Sequence, residues 1–209
     1  TVYYCPDFIL PSEEQYIIDK VYSAPKPKWT QLLNRRLQNW GGIPHPSGMI
    51  AEKLPEWLMK YVSKVDQLKI VDGGRICPNH VLVNEYLPGQ GIMPHTDGPL
   101  FYPTIATITC GSHAVLEFRP NREEHVDKRG ENKYSILLER RSLIVVKDDL
   151  YKQHLHSISE ISEDILDNSV VNLNRTQYKI GDTLKRETRI SLTIRHVPKT
   201  SKLHLKLCR

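Results

Sequence analysis

Arg189-Ile190-Ser191-Leu192-Thr193-Ile194-Arg195, near the end of a chain of 209 residues, alternates strictly between polar and apolar side chains. A period of two is that of an extended strand, so Ile190, Leu192 and Ile194 face one side and Arg189, Ser191, Thr193 and Arg195 the other. The apolar face calls for cover. The polar face has two readings. If exposed, its arginines are ordinary surface groups. If enclosed, two unpaired cations in a low-dielectric interior require an anion. Their Cα atoms would lie about 20 Å apart on a straight strand, yet long side chains can converge on a small dicarboxylate.

The same period recurs at 80–86, 104–109, 113–118, 134–139 and 142–147, short stretches rich in β-branched residues and separated by glycine, proline or charge. Before residue 80 the period is nearer 3.6. Residues 11–22 read as a helix capped by Ser12, and residues 54–68 as an amphipathic helix with Pro55 in its first turn and a stripe that packs on a sheet. This order of elements predicts a mainly β sandwich or barrel with helices placed N-terminally. Residues 159–187 are polar without a sustained period and read as a long loop, either a lid or disordered.

Hydrophobic residues at 39% and charged residues at 25% fit one globular domain and exclude disordered or fibrous classes. No apolar run approaches the ~20 residues of a membrane-spanning helix, and no signal peptide is legible, so an intracellular protein of cytoplasm or nucleus, with no membrane partner, is expected; a monomer is expected as well. Cys5, Cys77, Cys110 and Cys208 form no metal or disulfide spacing and read as reduced thiols. The net charge of +5 is unevenly placed. One cluster is Lys26, Lys28, Arg35 and Arg36, close to Trp29 and Trp40; another runs from Lys185 to Arg209. Such patches attract polyanions or form solvated surface.

In Pro94-His95-Thr96-Asp97-Gly98, a histidine and a carboxylate at i and i+2 project to one face of an extended segment and can hold one ion. A third ligand is available from a later strand, where His154 and His156 face the same way. Two histidines and one carboxylate on one face of an iron leave the opposite positions free for a co-substrate and oxygen. Asn84 and Tyr86, again i and i+2, lie just before this turn and offer neutral donors to a carboxylate, or fill the core as a buried amide and a tyrosine.

In order, residues 84–89, 94–99 and 107–113, Leu155-His156 and residues 189–195 resemble the AlkB family of oxygenases, over nearly the whole chain. The resemblance implies a double-stranded β-helix, or jelly roll, with residues 1–79 as a helical buttress carrying a nucleotide-recognition lid and residues 80–209 as the dioxygenase core. It implies iron(II) held by His95, Asp97 and His156, which selects His156 over His154. Its 2-oxoglutarate contacts correspond to Asn84, Tyr86, Arg189, Ser191 and Arg195, with Arg189 the partner of the distal carboxylate; Ser191 stands where the bacterial founder of the family has asparagine. The implied reaction consumes O2 and 2-oxoglutarate, hydroxylates an N-methyl group and releases formaldehyde. Residues 34–42 resemble the lid of relatives that act on methylated bases, with Arg35, Arg36 and Trp40 beside a flipped or single-stranded base of DNA or RNA, or with Trp40 packed on the core. Other expectations for the same residues are an oxygenase acting on a protein or small molecule, and a catalytically silent nucleic-acid-binding module.

Overall fold

All six period-two stretches are strands, with bounds shifted by at most two residues. The computed structural model describes residues 1–121 and 133–201; Cys208 and the end of the C-terminal basic cluster lie outside them. In chain order the elements are β1 (Val2–Cys5), α1 (Pro11–Tyr22), β2 (Trp29–Leu32), β3 (Arg35–Trp40), β4 (Met49–Ile50), α2 (Glu56–Asp66), β5 (His80–Tyr86), β6 (Ile92–His95), β7 (Thr104–Cys110) and β8 (Ala114–Pro120). There follow β9 (Tyr134–Leu138), β10 (Leu143–Lys147), α3 (Asp148–Gln153), β11 (His154–Ile158), β12 (Glu163–Ile165), β13 (Thr183–Lys185), β14 (Arg189–Arg195) and β15 (Thr200–Ser201).

Two sheets face each other, one ordered β1-β10-β7-β14-β5-β3-β2 and the other β6-β11-β8-β9. From β5 to β14 the chain passes back and forth between them, which is the double-stranded β-helix that the resemblance implies. The larger sheet has two distinct faces. Val81 and Val83 of β5, Ala106 and Ile108 of β7, Leu143 and Val145 of β10, and Ile190, Leu192 and Ile194 of β14 pack on Ile17 and Val21 of α1 and Leu58, Tyr61, Val62 and Val65 of α2. Each such fully buried aliphatic contributes about 1.5–3 kcal/mol of hydrophobic stabilisation. Between the sheets, Leu116, Phe118, Ile136, Leu138, Ile144 and Ile158 form a second core that closes one side of the interior.

Four expectations are corrected. Ser12 does not cap α1: the cap is Leu10, whose backbone N–H donates to Glu13 Oε2 at 3.0 Å. The second helix is shorter at both ends than 54–68, and Pro55 is its cap, not a residue of its first turn. Residues 1–79 are more than a helical buttress, because β1 pairs with β10 and β3 pairs with β5, extending the main sheet at both edges. Finally, residues 159–187 are built structure. Here β12 and β13 pair, and Leu166 and Val170 pack on Val115 and Leu137. Asn172 accepts from Leu137 N–H and donates to its carbonyl, both at 2.9 Å. Buried Arg186 donates two hydrogen bonds of 2.7 Å to buried Asp164, a bidentate pair that His113 completes from the side. The period is lost there because polar pairs, not a regular stripe, hold the segment down.

Cys5 and Cys77 are exposed free thiols and Cys110 is buried. Among the described residues no helix is long and apolar enough to cross a membrane.

Candidate active site

The inward phase of the larger sheet is polar at both ends. From β5 come Asn84 and Tyr86, and from β14 come Arg189, Ser191, Thr193 and Arg195; with His95, Thr96, Asp97 and His156 they line one cavity of 320 Å³ between the sheets. Its size is that of a small-molecule site. The strand that reads as alternating therefore has its polar face enclosed, and the reading of Arg189 and Arg195 as surface groups is excluded.

Antiparallel pairing sets His95 of β6 directly opposite His156 of β11. The strands approach closely at Gly91, where a Cβ would stand 2.2 Å from the Ile158 carbonyl oxygen, so a side chain there would push the two histidines apart. Their ring centroids are 4.4 Å apart. Asp97, two residues past His95, brings Oδ2 to 3.7 Å from His156 Nε2. One ligand atom from each of His95, Asp97 and His156 lies within 4.8 Å of the others. His95 Nδ1 is 2.8 Å from the Met93 carbonyl, to which it donates, so the lone pair left to bind is on Nε2. Burial, together with the His95 ring, holds His156 below its usual pKa against the pull of Asp97, keeping it neutral as a ligand must be. His154 has the same strand phase but pairs with Pro120 of β8, outside the cluster.

The anion end is equally specific. Arg189 is 4% exposed, donates from Nη2 to Thr109 Oγ1 at 2.9 Å, and keeps a buried Nε–H with no partner among the described residues. Burial lowers its pKa to about 10, so at neutral pH it remains a cation short of hydrogen bonds. A carboxylate answers both deficits. Asn84 accepts from Arg35 Nε–H at 3.2 Å, which leaves its NH2 to face the cavity. Tyr86 is buried beside Arg189, whose Cζ is 5.6 Å from the ring centroid, and desolvation raises its phenol pKa, so it stays a hydrogen-bond donor.

Residues 34–42 are mostly sheet structure near the edge of the larger sheet. They include β3, whose alternation sends Arg35 to the cavity and Arg36 to the helical side. Arg36 stacks 4.1 Å from the Trp29 ring and makes 2.7 and 2.8 Å hydrogen bonds to the buried Glu85 carboxylate. Trp40 packs edge-on against Trp57, 5.9 Å between centroids, and carries Lys28 over its ring at 4.4 Å. Arg36 and Trp40 thus support the sheet, and of the three only Arg35 reaches the cavity. Sequence reasoning passed over His80, Phe101, Thr109 and Tyr151. His80 is in phase with Asn84 and Tyr86, and Thr109 sits on an alternating strand, so period two could have found both; Phe101 and Tyr151 lie outside any strand and gave no such signal.

A jelly roll with two histidines, a carboxylate and an anion pocket at one end of its interior defines an iron- and 2-oxoglutarate-dependent oxygenase. The chain belongs to the 2OG-Fe(II) oxygenase superfamily, whose sequence profile matches residues 11–195, and within it to the AlkB family. It is 54% identical over 210 residues to the Danio rerio protein named "Probable RNA/DNA demethylase ALKBH6", covering 98% of this chain and 89% of that one. It is 28% identical over 204 residues to uncharacterized protein L905 of Acanthamoeba polyphaga mimivirus, covering 95% and 85% of the two chains. Among solved structures, OsALKBH1 superposes with a TM-score of 0.61 at 16% identity over 93% of this chain and 97% of that one, a likeness of fold. Membership implies iron(II) and 2-oxoglutarate, and the donor set and the under-bonded Arg189 fit both.

Proposed function

We propose that this chain is an oxidative demethylase of alkylated nucleic acid, with His95, Asp97 and His156 as its iron ligands. The observation that carries the reading is the placement, in one cavity, of a two-histidine, one-carboxylate cluster beside a buried arginine with an unused donor. The name borne by the Danio rerio relative supports the substrate class.

Bound iron(II), with O2 and 2-oxoglutarate, supplies the oxidation of an N-methyl group, the co-substrate leaving as succinate and CO2. The protein's residues bind, orient and exclude water. Arg189 and Thr109 receive the distal carboxylate, while Asn84 and Tyr86 donate to the same molecule. Ser191 and Arg195 face it from β14. Leu116, Leu138, Ile144 and Ile158 form an apolar wall that keeps bulk water from the reacting end. Arg35, half-buried and without a carboxylate partner among the described residues, is the cation set to meet the phosphodiester of a single-stranded or flipped substrate, with Arg36 and Trp40 acting behind it as its support. In this reading the protein works as a monomer in the nucleus or cytoplasm.

The test is succinate release by the iron-loaded protein with N-methylated and unmethylated oligonucleotides of DNA and RNA. Stimulation by the methylated strand, with formaldehyde in equal amount, is the expected result. Steady 2-oxoglutarate turnover that ignores every oligonucleotide would transfer the activity to a protein or small-molecule substrate. Oligonucleotide binding with no turnover would mark a silent binding module.

A further inference from the structure

Asp97 is itself held in place. Arg195, 6% exposed on β14, donates from Nη1 to Asp97 Oδ1 at 3.2 Å and from Nε to His80 Nδ1 at 3.2 Å. His80 is fully buried on β5, directly opposite Arg195 across the strand pair. The flat face of the guanidinium rests on Phe101, with Cζ 3.8 Å from the ring centroid. Three contacts therefore fix the group: an aromatic face, a carboxylate oxygen and a ring nitrogen.

The third contact constrains His80. Its Nδ1 accepts only if the ring is neutral with its proton on Nε2. Burial and then the adjacent Arg195 both oppose protonation and push its pKa down to about 3, so the ring is neutral, as an acceptor must be. The contact also bears on Asp97. With Oδ1 occupied by Arg195, Oδ2 is the oxygen left facing His156 Nε2 at 3.7 Å. A guanidinium free to swing would release Oδ1, and the carboxylate could turn away from the histidines.

We propose that His80 is a positioning residue for the metal site: its Nδ1 lone pair locks Arg195, and Arg195 orients Asp97 to offer a single oxygen to the metal. The inference rests on His95, Asp97 and His156 being the metal ligands, and goes beyond that reading by assigning a role to a buried histidine that touches neither metal nor co-substrate.

The experiment is calorimetric titration with Mn(II), without 2-oxoglutarate, of the wild type, His95→Ala, His80→Met and His80→Gln, each with its melting temperature. Methionine fills the space without a ring acceptor, whereas the glutamine oxygen can accept from Arg195. Because partners of metal ligands are typically worth 10–100-fold in affinity, His80→Met should bind Mn(II) at least about tenfold more weakly and His80→Gln should recover most of the loss. Equal affinity of His80→Met and wild type would overturn the inference while leaving the metal reading intact. Wild-type protein that binds no Mn(II), or binding that survives His95→Ala, would overturn both. Should His80→Met fail to fold, ¹⁵N NMR of the wild type decides: an unprotonated Nδ1 on His80 supports the lock, and a protonated one refutes it.

Discussion

Replacing Arg189 with methionine should have two effects of opposite sign. The wild-type guanidinium is almost wholly buried, with one partner and an unused donor. Burial lowers its pKa from the usual arginine range to about 10, which corresponds to about 3 kcal/mol of unfavourable charging at neutral pH. A base whose folded-state pKa is depressed carries this cost at every pH below about 10. Methionine removes the cost and forfeits the Thr109 hydrogen bond, about 1 kcal/mol. Without co-substrate the variant should therefore be more stable by about 2 kcal/mol, or about 4–8 °C for a chain of this size. With co-substrate the balance reverses. Charge-assisted hydrogen bonds contribute about 1.5–3 kcal/mol, so 2-oxoglutarate should bind about 10–150-fold more weakly. Scanning fluorimetry without ligand, followed by calorimetric titration of the Mn(II)-loaded protein with 2-oxoglutarate, reads both. A variant that melts below wild type and binds 2-oxoglutarate equally well would show that Arg189 is a structural residue and that its spare donor awaits nothing.

His156→Ala should abolish Mn(II) binding while His154→Ala leaves it within about twofold, since only His156 faces His95; the reverse result would move the third ligand. Asp164→Asn strips buried Arg186 of its bidentate acceptor and should destabilise by about 3–5 kcal/mol, lowering the melting temperature by at least about 6 °C; an unchanged melting curve would mean that the 159–187 segment is not clasped by this pair. Glu13, although partly desolvated, is held at about 2 by the Leu10 N–H, Lys60 and Lys64. Its folded-state pKa is depressed, so its contribution is complete above pH 4.5 and is lost as pH falls through about 2; Glu13→Gln should cost stability in urea melts at pH 7 and far less at pH 2, and an equal cost at both would exclude the carboxylate charge as the cause. Arg35→Ala should weaken nucleic-acid stimulation and lose one hydrogen bond to Asn84, about 1 kcal/mol, and Arg36→Ala should lower the melting temperature further by stranding buried Glu85; both variants behaving alike would contradict the opposite facing of the two side chains on β3.

The larger sheet was legible because its two phases have different chemistry. Ile190, Leu192 and Ile194 against Arg189, Ser191, Thr193 and Arg195 announce one oily and one polar side, and the helices cover the oily one. Local spacing also found His95 with Asp97. It could not choose between His154 and His156, which share a phase, because that choice is made by the pairing of β11 with β6, a contact some sixty residues away in sequence; only resemblance selected His156. In β3 the helix-facing residues are Arg36, Gln38 and Trp40, so no apolar alternation marks it as a strand. Their polarity is satisfied by Glu85, by the Val21 carbonyl and, for the Trp40 N–H, by Gln38 itself, which only the folded chain reveals. The 159–187 segment was missed for a related reason: Asp164, Arg186 and Asn172 anchor it through pairs distant in sequence.

The interleaving of the sheet's two faces has a consequence for how such a chain can change. Residues packed on the helices and residues lining the cavity occupy alternate places on β5, β7 and β14, so a substitution in one set meets different neighbours from a substitution in the other. A change of length disturbs both sets at once. Dropping one residue within β14 would turn Arg189 or Arg195 toward Leu58 and Val62 and present an isoleucine to the cavity. The strand is written in a two-letter frame, intolerant of a shift.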